Sequence, residues 1–319
     1  MKSQERLDLL AQVAAWYYEQ KLEQSEISQR IGKSVSMVSR LLAEAHREGL
    51  IEIRVRFAIR TDESLEQDLK RRFGLRTAAV MKQESATDEN RLRKLGELGA
   101  RILKAHLHDG VTVGVGWGRA PHQVVTAMPD MQLVGVNVVQ LMGGMGSTNP
   151  MLAGSELARW LAKKLNATFY SLQAPMLVET EALAKALLRD SEVKRTLDMA
   201  RKADLLLVGI GGMNAMQTVS VNAGHITRRD IDNLARAKAV GDVIARYVDV
   251  QGHELKHPIN QRVVGLDLES LRKVPAVIAV AAGEEKAQSI LGALRGKYIK
   301  VLVTDSLTAK EVLKIDREQ

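Results

Sequence analysis

A chain of 319 residues is too long for one small domain and long enough for a unit of about 60 residues plus one large α/β domain. With 45% hydrophobic and 26% charged residues its composition is globular, and a net charge of +8 permits a polyanionic partner. It has no cysteine, no apolar run near the roughly 18 residues of a membrane span and no apolar signal core in its first residues; disulfide and thiolate chemistry are excluded, and a cytoplasmic protein without membrane contact is expected.

Apolar spacing predicts a first helix over 7–20, with Leu7, Leu10, Val13, Ala14 and Tyr17 inward. Trp16-Tyr17-Tyr18 is its aromatic cluster and is expected in the core of a small domain. The stretch 22–56 then reads as helix, turn, helix, strand. Ser25 is a candidate N-cap with Ile27 and Ile31 inward, and Gly32 is a candidate left-handed C-cap. Ser34 caps the next helix, whose buried stripe is expected to be Val35, Val38, Leu42 and Ala45. Gly49 ends it, and Ile51, Ile53 and Val55 alternate with Glu52, Arg54 and Arg56 as a half-buried strand. This order is that of a winged helix-turn-helix, assigned to residues 1–60.

The face opposite the stripe carries Ser36, Met37, Ser39 and Arg40, small, polar and cationic, as a helix in a DNA major groove requires. Ser25, Lys33, Ser34 and Arg54 join them as candidate DNA contacts, since hydroxyls and cations position a protein on phosphates. From Ser28 to Arg60 seven Lys and Arg face three acids.

Residues 61–76 read as a connecting helix, capped by Thr61 and stopped by Gly74, with Leu65, Leu69 and Phe73 as a stripe that packs on the large domain or on a second subunit. From residue 77 to 319 strand, loop and helix alternate. Apolar strands are expected at 78–81, 111–115, 134–141, 167–172, 205–210, 276–281 and 298–303. Helices are expected at 88–107, 121–128, 151–165, 180–201, 284–294 and 306–314. Two short helices near 228–237 and 267–273 bracket an expected edge hairpin at 243–250. Continuous apolar strands alternating with helices imply a mainly parallel sheet covered on both faces, an α/β fold.

Ligands of open parallel sheets bind beyond the carboxyl ends of the strands. Four strands are followed there by glycine-led loops: Gly116-Trp117-Gly118-Arg119-Ala120-Pro121, Met142-Gly143-Gly144 running on to Thr148, Gly211-Gly212, and Gly283-Glu284-Glu285-Lys286. Such loops let backbone N–H groups approach an anion at a helix N-terminus. Arg119 and Lys286 add cations, which suits a phosphate, and Asp242 and Asp249 add carboxylates for sugar hydroxyls, although Asp242 can instead cap a turn. The seven histidines show no metal spacing, and neither the Walker loop nor the dinucleotide fingerprint is present, so no metal, nucleotide or other cofactor is expected.

Several segments together resemble the SorC-type, or DeoR-like, sugar-responsive bacterial transcription regulators over nearly the whole chain. They are AAWYYEQKLEQSEISQRIGKSVSMVSRLLAEAHREGLIEIRV, VGVGWGRAP, VVQLMGGMGS, ADLLLVGIGG, AVGDVIARYVDVQG, RVVGLDLESLR, AVAAGEEKAQSILGALRG and VLVTDSLTA. The resemblance implies an effector domain similar to phosphosugar isomerases. It also implies a homo-oligomer, usually a tetramer, whose grip on operator DNA changes when a phosphorylated sugar binds. It implies Gly116 to Ala120 as the phosphate loop, Gln140 to Gly146 as a second wall, and Asp242 and Lys286 as polar contacts to the sugar. Met142 gives that wall no basic group. The alternative is a sugar-phosphate isomerase or deaminase with an appended domain, for which Asp242 and Lys286 are the candidate bases.

Overall fold

A computed structural model describes residues 4–51, 59–82, 88–144, 154–213 and 226–318. It divides into two compact units, 1–58 and 59–319. In the smaller unit α1 (Gln4–Ala14) runs into a π-helical turn (Ala15–Glu19), followed by α2 (Gln24–Ile31) and α3 (Val35–Arg47). Their core is Leu10, Val13, Ala14, Ile27, Val38, Leu41, Leu42 and Ala45. Trp16 and Tyr17 pack against it, as expected, whereas Tyr18 is exposed.

The helix ends follow local chemistry. The Ser34 hydroxyl accepts the Met37 N–H at 3.3 Å, and Gly32 ends α2 at φ +62°. Ser25, expected as the N-cap of α2, lies inside it; Glu23 holds the cap position, and its N–H donates to the Glu26 carboxylate at 2.9 Å. A carboxylate three residues on can reach back to that N–H, so the helix starts earlier than the serine suggests. Val35, expected in the buried stripe, is 46% exposed. It is the first residue of α3, before the helix reaches α1, and Leu41 takes the place in the core. The expected strand beyond Gly49 lies outside the described residues from 52 on, as does Arg54.

The larger unit opens with α4 (Glu63–Phe73). Asp62, not Thr61, caps it by accepting the Leu65 N–H at 3.2 Å. Thr61 is engaged in a bridge to Met81 instead. Leu69 is fully buried and Leu65 and Phe73 pack beside it, so this stripe meets the unit's own core.

The strands are β1 (Thr77–Met81), β2 (Thr112–Val115), β3 (Asn137–Gln140), β4 (Thr168–Tyr170), β5 (Leu205–Gly212), β6 (Gly241–Val243), β7 (Arg246–Val248), β8 (Ala276–Val280) and β9 (Val301–Asp305). The main sheet runs β1-β9-β8-β5-β2-β3-β4 with every pair parallel, and the β6–β7 hairpin adds antiparallel to the end of β5. Alternate residues serve opposite faces: Val277, Ala279 and Leu302 enter one core, Ile278, Val280, Val301 and Val303 the other. Burial on both faces is why these strands read as continuous apolar runs.

The helices are α5 (Asp88–Lys104), α6 (Arg119–Ala127), α7 (Gly154–Leu165), α8 (Glu181–Arg189), α9 (Ser191–Arg201), α10 (Arg228–Arg236), α11 (Pro258–Gln261), α12 (Leu268–Lys273), α13 (Ala287–Arg295) and α14 (Ser306–Glu318). The single helix expected over 180–201 is two. Asp190 breaks it and caps α9 by accepting the Glu192 and Val193 N–H groups at 3.0 and 3.2 Å. The helix expected from 284 begins as a 3-10 turn, Glu284–Lys286. The hairpin falls slightly before its expected place. No helix among the described residues is long and apolar enough to cross a membrane.

Candidate functional site

Chain order and strand order part company between β2 and β5. From β2 the sheet grows through β3 to β4; from β5 it grows the other way through β8 and β9. A crevice opens beyond the carboxyl ends of strands at such a switch point. Here it is a cleft of about 980 Å³, open solvent included. Trp117 to Pro121 come to it from β2, Met142 from β3 and Gly209 to Gly211 from β5. Val280, Ala282, Glu285 and Lys286 come from β8, and Asp242 and Ile244 from the hairpin.

One wall is the first turn of α6. Gly118 holds the N-cap position at φ +121°, a conformation that glycine adopts without strain, and the helix starts at Arg119 rather than at the expected Pro121. The first-turn N–H groups of a helix have no acceptor within it, and the positive end of its dipole faces outward. That turn, with Arg119 on it, is chemically a seat for an anion. Lys286 comes from the other side: a Cβ on Gly212 would lie 3.1 Å from its Cγ, so its stem crosses the end of β5.

Asp242 faces these cations. It is 5% exposed, and its carboxylate accepts the Ala245 N–H at 2.7 Å. Burial pushes its pKa up to about 6, against the downward pull of that hydrogen bond and of the Lys286 charge. The hydrogen bond closes a two-residue hairpin turn in which Ile244 and Ala245 both have positive φ, 48° and 64°. A β-branched residue there is strained, and such strain gathers at functional sites. Asp242 thus both caps a turn and lines the cleft.

The other expected effector residues have different places. Gly116 continues the sheet, its N–H donating to Leu207 O at 2.9 Å. Gln140 is 1% exposed and does not line the cleft; its amide donates to Met142 O at 2.7 Å and accepts the Leu172 N–H at 3.1 Å. It braces the loop that carries Met142, which does line the cleft. Gly143 and Gly144 donate their N–H groups to Val264 and Ala174 carbonyls at 2.9 and 2.7 Å, so these two amides hold the chain together rather than an anion. Asp249 turns away into its own loop, accepting the Gln251 and His253 N–H groups. The continuation of this wall, 145–148, lies outside the described residues. Arg91 and Leu92 of α5, Ile244 and Glu285 also line the cleft. Glu285 belongs to one of the glycine-led loops, whereas sequence spacing did not single out Arg91, Leu92 or Ile244, since neither glycine nor helix start marks them.

In the smaller unit, Lys33, Ser34, Ser36, Met37, Ser39 and Arg40 are exposed at or along α3, and Ser25 is exposed on α2. The Ser34 and Ser36 hydroxyls lie 2.9 Å apart. The buried residues of α3 all face the three-helix core, leaving the serines and Arg40 outward. Among the described residues no group of His, Asp and Glu could hold a metal.

Known proteins resemble this chain over most of its length. Residues 58–314 match the family described as "Putative sugar-binding domain". The sorbitol operon regulator of Klebsiella pneumoniae is 29% identical over 316 residues, covering 98% of this chain and 100% of the relative. The transcriptional regulator LsrR of the same species is 30% identical over 309 residues, 96% of this chain and 93% of the relative. The crystal structure of the full-length Klebsiella sorbitol operon regulator SorC superposes with a TM-score of 0.73 at 28% identity, over 97% of this chain and 99% of that one. These relatives are regulators, not enzymes. With a sugar-binding domain behind a helix-turn-helix and matches along nearly its full length, the chain belongs to the SorC family of sugar-binding transcriptional regulators.

Proposed function

We propose that this regulator acts in the cytoplasm on a carbohydrate-utilisation operon, gripping operator DNA through α3 and changing that grip when a phosphorylated sugar enters the cleft. DNA binding is assigned to residues 1–60, a connection to 61–76 and effector binding to 77–319. The working unit is a homo-oligomer, a tetramer as the family resemblance implies, because paired helix-turn-helix units match palindromic half-sites.

The observation that carries the reading is the cleft at the β2–β5 switch point. It puts the N-terminal turn of α6, Arg119 and Lys286 around one space, with the Asp242 carboxylate beside them. The helix turn and cations suit a phosphate, and the carboxylate suits a sugar hydroxyl. Met142, 1% exposed on the wall from β3, brings no positive charge for a second phosphate. The names of the relatives support a carbohydrate-derived effector.

A thermal-shift screen against sugar phosphates and their unphosphorylated parents tests this. A ligand at 100 times its dissociation constant stabilises the fold by about 2.7 kcal/mol. A shift with a phosphosugar, absent with its parent and accompanied by altered operator binding, is the expected result. Turnover of any pentose or hexose phosphate by the pure protein, or stabilisation by none, refutes the reading.

A further inference from the structure

The N-terminal turn of α3 is apolar where its buried stripe has no need of it. Val35 is 46% exposed and Met37 36% exposed, on either side of Ser36, while Val38, Leu41, Leu42 and Ala45 of the same helix fill the core. Neither exposed side chain belongs to that core cluster. Both stand on the exposed N-terminal turn of the helix assigned to DNA, where they are available to a partner. The setting names the occupant. Lys33 and Arg40 are exposed beside them, Ser34 and Ser36 present hydroxyls, and a recognition helix enters the major groove by its N-terminal residues. The only apolar group that a base pair offers in that groove is the C5-methyl of thymine.

We infer that Val35 and Met37 read thymine methyl groups flanking the base step met by Ser36, and so act as specificity-determining residues of the operator contact. The inference rests on the DNA-binding reading of α3 and goes beyond it, since it fixes part of the sequence bound. Ser39 and Arg40, one turn further along, hold the polar share of the same surface.

The test uses the full-length chain and a random-sequence duplex pool, from which bound sequences are selected. The enriched half-site is expected to hold thymine at two fixed positions. Replacing one of these thymines by deoxyuridine removes only the methyl. Burying such a group is worth about 0.8 kcal/mol, so each replacement is expected to weaken binding about fourfold. In Val35→Ala the penalty at one position disappears, and in Met37→Ala the penalty at the other. Both side chains are exposed and alanine favours helix, so both variants fold. An enriched site whose deoxyuridine forms bind as tightly as thymine, or a penalty that both variants retain, overturns the inference while leaving DNA binding in place. A pool with no enriched sequence overturns the DNA-binding reading and this inference with it.

Discussion

Replacing Asp242 by asparagine gives a pH-dependent result that only a buried, charge-averse carboxyl produces. The Asp242 side chain is 5% exposed and its pKa is raised from 3.8 to about 6, mainly by burial. At 1.36 kcal/mol per pH unit, the full difference is about 3 kcal/mol. The folded state holds this proton more tightly than the unfolded state does. The stabilisation is therefore fully present below the ordinary value of 3.8 and is lost as pH rises through about 6. Between pH 5 and 7.5 this one group costs the unliganded protein about 1.4 kcal/mol. The substituted amide is neutral throughout, and its oxygen can still accept the Ala245 N–H that Asp242 accepts at 2.7 Å. Urea denaturation followed by fluorescence, in a Trp16→Phe background that leaves Trp117 and Trp160 as the reporters, reads the transition of the larger unit. Asp242→Asn is expected to gain on the wild type by about 1.4 kcal/mol when the buffer moves from pH 5 to 7.5. A stability difference that stays the same at both pH values refutes the burial argument.

Three further outcomes follow from the two units. Arg40→Ala is expected to weaken operator binding by about 1–3 kcal/mol with relaxed specificity at one base if Arg40 reads a guanine; a phosphate contact instead gives a uniform loss and a smaller salt slope. Unchanged affinity in a gel-shift titration removes α3 from the interface. Lys286→Ala is expected to weaken effector binding, measured by calorimetry, while the unliganded protein keeps its operator affinity; an unchanged dissociation constant removes Lys286 from the site. Light scattering at micromolar concentration is expected to give a multiple of the 35.2 kDa chain, and a single chain with and without DNA refutes the oligomer.

Local chemistry made much of the architecture legible. Strands buried on both faces are continuous apolar runs, so β1, β2, β5, β8 and β9 could be located from their residues alone. Ser34, Gly32 and Gly74 marked helix ends because capping needs a side-chain acceptor or a left-handed residue within a turn or so. The glycine-led loops pointed to the sheet end where the cleft opens, because chain direction in a parallel sheet fixes where each strand's loop emerges.

Local chemistry was silent where two local signals compete or where the partner is remote. Asp62 and Thr61 are both capping types, and Thr61 is taken up by its bridge to Met81 while Asp62 caps the helix. Val35 fits the apolar period of α3, but only the position of α1 shows that the buried stripe begins at Val38. Gln140 and Met142 stand two residues apart after one strand. The Gln140 side chain turns back to brace the loop and Met142 meets the cleft, because Leu172 offers an N–H to the former. Which loops share one space depends on strand order, and that order comes from pairing between residues far apart in the chain. Val115 meets Leu207, and Gly211 meets Asp242, across separations that no local pattern encodes. Residue order alone therefore specified most of the elements, many of their ends and the side of the sheet where the cleft lies. Long-range pairing was needed to show that Arg119, Lys286, Glu285, Asp242 and the unforeseen Arg91 and Ile244 line one cleft.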